Sequence, residues 1–141
     1  MLRVQEPEAS TADRFTLAGM PRFEAVHPVL SVRDVRATAI WFHQFGFEPL
    51  FADNDEAPTY AGIGRDDVEI HLQWHSETEW NDGLDSAAYR FLVDDPDALF
   101  AEVAERSDVL AGRQVTDTAW GTREFGVYDP DANALFFYRD L

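Results

Sequence analysis

Cysteine is absent from this chain, and so is lysine. The first absence excludes disulfides, thiolate metal sites and cysteine nucleophiles, and leaves the redox compartment open. Because lysine is missing, all 11 basic residues are arginine; they face 27 acidic ones, for a net charge of −16. A field of that sign repels phosphate backbones, so nucleic acid is not an expected partner. It raises the local concentration of a cationic ligand, although the same charge serves solubility or salt tolerance equally well. No apolar run approaches the roughly 18 residues of a membrane span, so no membrane association is expected. The first twenty residues lack the continuous apolar core of a secretory leader, which makes the cytoplasm the expected location. Also missing are a glycine-rich phosphate loop, a serine nucleophile elbow and a helical His-Glu-x-x-His, so several common enzyme classes gain no support.

What is present fits one domain. At 141 residues and 45 % hydrophobic, the chain is long enough to bury about two-thirds of its unfolded surface. Residues 1–22 show no periodicity, carry Pro7 and Pro21, and read as a tail or arm ahead of a domain over 23–141. A β-rich run spans Glu24 to Val32, with Pro28 near its start arguing for an edge strand or one crossing between subunits. Asp34 then caps a helix to about Gln44, with Val35, Ala39 and Phe42 on one face, widened by Ile40 and Trp41; Gly46 ends it. Strands are expected at Phe47–Ala52, Thr59–Gly64 and Val68–His75. In the last, Val68, Ile70, Leu72 and Trp74 alternate with Glu69, His71, Gln73 and His75, a half-buried strand with Trp74 on its core side.

After a polar loop, Ser76–Ser86, the pattern restarts. Ala87–Val93 reads as a strand, and Asp95-Pro96 opens a second helix with Leu99, Phe100, Val103 and Ala104 as its core face. Strands follow near Gln114–Thr116, Arg123–Tyr128 and Leu135–Tyr138, the last preceded by the turn Asp129-Pro130-Asp131-Ala132-Asn133. Strand, helix and three strands, repeated, is an internal duplication of α+β class, two βαβββ modules.

Three segments carry a family likeness: Pro28-Val29-Leu30-Ser31-Val32-Arg33-Asp34-Val35, Trp120-Gly121-Thr122-Arg123-Glu124-Phe125, and Asp129-Pro130-Asp131-Ala132-Asn133-Ala134-Leu135. Together they resemble the vicinal oxygen chelate superfamily of glyoxalases, bleomycin-resistance proteins and dioxygenases, over about residues 25–141. The Trp-Gly segment is most similar to the bleomycin-resistance branch. The resemblance implies a pair of half-barrels whose concave faces hold a ligand. Metal-using members place ligands on the first and final strands of the modules. His27 matches the first of these, seven positions before Asp34, but Ala87 or Ala88 and Phe136 stand at two of the others and ligate nothing.

No metal or other cofactor is therefore expected. A displaced set is conceivable from spacing. His71 and His75 lie about 13 Å apart along a regular strand and cannot share an ion, whereas Glu69 and His71 are about 7 Å apart on one face. Their long side chains, with His27 from another strand, make a candidate triad; the plainer reading is a polar wall.

The resemblance also implies a homodimer that sequesters a planar, cationic, bleomycin-like small molecule in an interface cleft, with no catalytic residue. Tyr60 matches an aromatic that stacks on the ligand, and Trp120 with Gly121 is the next candidate; a core position is the alternative for each ring. His71, Gln73 and Glu69 share a face and suit polar contacts. Asp53, Asp55 and Glu56 either add negative potential or are solvated loop charges. Arg123 and Glu124 point to opposite faces. Trp74 and Trp80 flank the polar loop. Pro28 is the expected hinge of an arm reaching to the partner. The alternative function is a metal-dependent lyase, isomerase or dioxygenase of the same superfamily.

Overall fold

The computed structural model describes residues 19–76 and 87–141. The first module runs β1 (Val29–Val32), α1 (Val35–His43), β2 (Glu48–Ala52), β3 (Tyr60–Arg65) and β4 (Val68–Trp74). The second runs β5 (Ala88–Leu92), α2 (Pro96–Arg106), β6 (Thr116–Asp117), β7 (Thr122–Tyr128) and β8 (Ala134–Asp140). Each forms a four-stranded sheet, ordered β1-β4-β3-β2 and β5-β8-β7-β6. The first strand pairs parallel with the fourth in both, and the remaining pairs are antiparallel. The same strand order and sense in both halves is the duplication read from the sequence.

Local chemistry explains the helix starts. The Asp34 carboxylate accepts the Ala37 amide at 3.0 Å, and Asp95 accepts that of Ala98 at 3.0 Å with Pro96 in the first turn. Gly46 closes the first helix at φ +80, a left-handed conformation where a side chain is disfavoured. Helix α1 buries Val35, Thr38 and Phe42, with Ala39 and Trp41 packed on the core, while Ile40, expected to widen this face, is exposed.

Leu30, Val32, Ile70 and Leu72 are fully buried beneath the helical layer. Trp74, expected on this core side, is 46 % exposed. Nine helical residues cover about 14 Å, and the seven residues of β4 extend about 23 Å, so the strand outruns its cover. The β-rich run ahead of β1 also differs. Among the described residues Val29–Val32 is the part of this run that pairs as a strand, and residues 19–27 are exposed and carry no strand. β1 lies at a sheet edge, as its proline suggested.

Phenylalanines join the modules. Phe137 stacks on Phe45, Phe91 and Phe125 with centroids 5.2, 5.1 and 5.1 Å away. Arg65 adds a bidentate pair to Glu102 of α2 at 2.6 and 3.0 Å. The hydrogen bond and charge of Arg65 hold the Glu102 carboxyl below the usual range, against a smaller opposing effect of burial. A depressed carboxylate pKa stabilises the fold above the ordinary glutamate value, and that contribution is lost as the pH falls through the depressed one. Both partners are about a third exposed, so the pair contributes about 1 kcal/mol at most. Glu102→Gln is accordingly expected to lower Tm near neutral pH by a few degrees and to converge with the parent once the pH has fallen through the depressed carboxyl value. A gap that persists in acid would assign the loss to packing.

Candidate functional site

Because Ile70 and Leu72 face the core, Glu69, His71 and Gln73 of β4 face the opposite side of the sheet. Register places Val29 beside His71 on one flank and Gly62 on the other, with Phe51 of β2 opposite Gly62. A Cβ at Gly62 would collide with the Phe51 ring. The glycine thus lets Phe51 lie flat over β3, a close approach of the kind glycines mark within strands. The Phe51 and Tyr60 rings stack at 6.2 Å and 16°, and Phe51 meets His71 edge-on at 5.1 Å and 85°. Phe51 is 46 % exposed, and Tyr60 and His71 are half-buried. The result is an aromatic shelf on an open sheet face.

A polar chain crosses the shelf. The Tyr60 hydroxyl lies 2.6 Å from His71 Nδ1. His71 Nε2 is 2.7 Å from Glu69 Oε2, and the same oxygen is 3.5 Å from His27 Nε2. The two imidazoles lie 5.1 Å apart. The candidate triad is thus brought together, with one donor atom from each residue all within 4.8 Å of one another. Two imidazole nitrogens and a carboxylate oxygen suit a divalent transition metal. Two of the other positions the resemblance associates with metal, both in the second module, supply nothing: Ala88 is exposed, and Phe136 lies 5.6 Å from the Arg90 guanidinium. His75 is engaged elsewhere, its Nε2 3.2 Å from Ser31 Oγ.

Of the loop acids, Asp53 organises the turn that delivers Tyr60. It accepts the Thr59 and Tyr60 amides at 2.9 and 3.2 Å and the Thr59 hydroxyl, and the Thr59 bonds hold its carboxyl below the usual range. Asp55 and Glu56 are exposed, and their carbonyls accept the Arg36 guanidinium.

Trp120 and Gly121 stand on the other sheet, in the turn before β7, where Gly121 has φ +88 and Trp120 is 65 % exposed. Tyr60 begins β3 of the first sheet, so the two aromatics belong to different sheets. Arg123 pairs with Asp97 and Asp117 on the helix side, while Glu124 points the other way, as strand alternation predicts. Glu124 is buried and accepts from Arg90 at 2.7 Å and Thr122 at 2.8 Å. Burial pushes its carboxyl up, but those bonds, with a smaller contribution from the Trp120 indole, leave it lowered. The Arg90 guanidinium lies 4.3 Å from the centre of the Tyr138 ring, a second polar and aromatic group on an open face. Trp80 lies outside the described residues. Phe51, Arg90 and Tyr138 escaped the sequence reading. The register shift between Pro49 and Phe51 hides which residue faces Gly62.

Two hollows lie away from the shelf. One of about 410 Å³ sits at the module seam between Phe47, Val68 and Leu99, and one of about 420 Å³ lies beside Trp74. The shelf itself is a sheet face, and becomes a cleft only when something faces it.

Solved structures share this architecture. The bleomycin-binding protein of bleomycin-producing Streptomyces verticillus, determined with copper(II)-bleomycin, is 30 % identical, with 86 % of this chain and 100 % of that one covered at TM-score 0.64. A bleomycin resistance determinant encoded on the transposon Tn5 is 18 % identical, covering 84 % and 98 % at TM-score 0.68. A glyoxalase/bleomycin resistance protein from Catenulispora acidiphila is 22 % identical, covering 82 % and 97 % at TM-score 0.63. The latter two speak to fold alone. No curated protein matches. Residues 24–137 match the family model of that fold, and the chain belongs to the Glyoxalase/Bleomycin resistance protein/Dioxygenase superfamily.

Proposed function

We propose that this protein captures a small, planar, cationic molecule and sequesters it without transforming it. The observation that carries the reading is the half-exposed aromatic shelf of Phe51, Tyr60 and His71 with the Glu69 carboxylate in its midst. Flat rings suit heteroaromatic ligands, the carboxylate suits a cation, and the net charge of −16 adds long-range attraction. Gln73, on the same face, is available for hydrogen bonding. The 30 % identical relative crystallised with copper(II)-bleomycin makes a bleomycin-like compound the first ligand to try.

The cleft is completed by a second copy of the chain. Within one protomer the shelf and the Trp120-Gly121 turn belong to different sheets, and this placement suits a cleft in which the shelf of one protomer meets the turn of its partner. Phe23 and Val26, at 102 % and 89 % exposure, lie on the segment ahead of Pro28, which suits an arm packed on the partner. Capture needs neither a bond-making step nor a metal.

The test is titration of metal-free protein with bleomycin, followed by calorimetry and tryptophan fluorescence. Saturation near one ligand per protomer is expected. Tyr60→Ala or Trp120→Ala should each weaken binding by about 2- to 30-fold, the equivalent of about 0.5–2 kcal/mol per aromatic contact, with the dimer mass unchanged. Dissociation or unfolding of either variant would make that ring structural. The competing reading, a metal-dependent enzyme, calls for turnover by the metal-loaded protein and no ligand capture once the ion is removed.

A further inference from the structure

We propose that the hollow at the module seam is a second binding site, for a small amphiphilic cation with an apolar ring or chain and an ammonium head. Its volume of about 410 Å³ lies in the roughly 300–1,000 Å³ range of ligand sites, which favour the joins between structural units. Its wall is aromatic. Phe47 of the first module meets Phe91 of the second edge-on at 6.1 Å and 68°, and Phe137 stacks on Phe91 at 5.1 Å. Val68 and Leu92 also line the hollow and are exposed, so the apolar wall runs out to solvent. Val68 shares the core side of β4 with Ile70, whereas Glu69 and His71 of the shelf point the other way. The two sites therefore lie on opposite sides of the sheet.

Charge selects the ligand. Five acids and one arginine line the hollow, and the arginine is committed. Arg65 donates to both Glu102 oxygens at 2.6 and 3.0 Å and to the Phe45 carbonyl at 2.8 Å. Gly46 permits that reach, since a Cβ there would lie 2.7 Å from the guanidinium. Asp95 caps α2, and Asp66 lies 3.7 Å from Arg65 Nε. Asp67, in the β3–β4 turn, and Asp94, just before α2, are exposed and have no hydrogen bond or ion pair among the described residues. Each module thus supplies one uncommitted carboxylate beside a shared aromatic wall. That arrangement suits a cation whose apolar body lies on the rings while its head stays hydrated among the acids. The same acids disfavour phosphates, anionic lipids and, at this face, a second copy of a chain of net charge −16.

This site does not depend on the capture reading, because its residues and its probe are its own. Full-length protein is titrated with phenethylammonium, following amide and methyl NMR shifts, and in parallel with phenylpropionate, a similar ring and chain of opposite charge. Saturable shifts at Val68, Leu92, Val93 and Leu99 are expected for the cation only, at about millimolar concentration for so small a ligand. Asp67→Asn and Asp94→Asn should each weaken binding by about 2- to 5-fold, and so should raising the ionic strength from about 0.01 to about 0.15 M. Ala98→Trp, which fills the hollow from α2, should abolish binding, whereas Glu105→Gln, the loss of one charge on that helix outside the hollow, should match the parent. Asp67, Asp94 and Ala98 are exposed, so these variants keep the core intact. Equal affinity for phenylpropionate, parental affinity in the Asp67→Asn/Asp94→Asn double variant, or cation shifts confined to the shelf overturns the proposal. Any shifts at Tyr60 and His71 are assigned to the shelf by their loss in Tyr60→Ala, which should leave the seam shifts in place.

Discussion

Phe137→Ala is expected to destabilise the protein by about 3–5 kcal/mol in chemical denaturation, the range for truncating a buried phenylalanine. Phe137 is 2 % exposed and stacks on rings from both modules: Phe45 from the first, Phe91 and Phe125 from the second. Removing it opens a cavity where none of the three neighbours can collapse without losing its own contacts, because each is itself buried. The consequence reaches function. The open faces of the two sheets hold their relative placement through this seam, so a ligand cleft using both is expected to weaken in the same variant. A loss below about 1 kcal/mol would mean that the rings repack and that the polar links carry the seam.

Asn133→Ala is the second large effect, expected at about 2–4 kcal/mol near neutral pH. Asn133 is fully buried, and its side chain donates to Asp129 Oδ2 at 2.8 Å and to the Ser31 carbonyl at 3.5 Å, while accepting the Ala87 amide at 3.2 Å. It thereby ties the Asp-Pro turn to β1 of the first module and to the start of β5. Alanine leaves Asp129, 5 % exposed, without one of its compensating donors. Burial already pushes the Asp129 carboxyl up, against the hydrogen bonds of Asn133 and the Asp131 amide. A carboxyl raised on folding is protonated more in the native state, so stability falls as the pH rises from the ordinary aspartate value through the raised one. Losing a bond that favours the carboxylate raises it further. The gap in Tm between variant and parent should therefore narrow as the pH falls through the raised value, where Asp129 takes up its proton. A gap independent of pH would assign the loss to the Ser31 and Ala87 contacts instead.

The elements of the fold were legible because they are local. Asp34 and Asp95 announce their helices by capping chemistry, the alternation through Val68–Trp74 announces a strand, and Asp129-Pro130 announces the final turn. Each depends on residues a few positions apart, and repetition of the order made the two-module class readable. The errors fall where a distant neighbour decides. Trp74 continues the apolar alternation of β4, but whether it is buried depends on how far α1 reaches. Residues 24–28 have strand-like composition, yet residues 19–27 have no strand, since a strand requires a partner to accept its hydrogen bonds.

The shelf shows the same division. Tyr60, Glu69, His71 and Gln73 could be placed on their strands by period alone. Phe51 could not, because a register shift sets it opposite Gly62, and only that missing side chain admits its ring. Spacing along β4 allowed Glu69 and His71 to converge, but His27 reaches them through parallel pairing across the sheet, a contact made over more than forty residues of intervening chain. The sequence by itself determined the elements, their order, the acidic field and the chemistry each side chain can offer, because these follow from the chain's covalent order and from neighbours a few residues away. Tertiary structure decided which of those side chains meet and which stay open to solvent, because strand register and helix reach are set by packing between residues far apart in sequence.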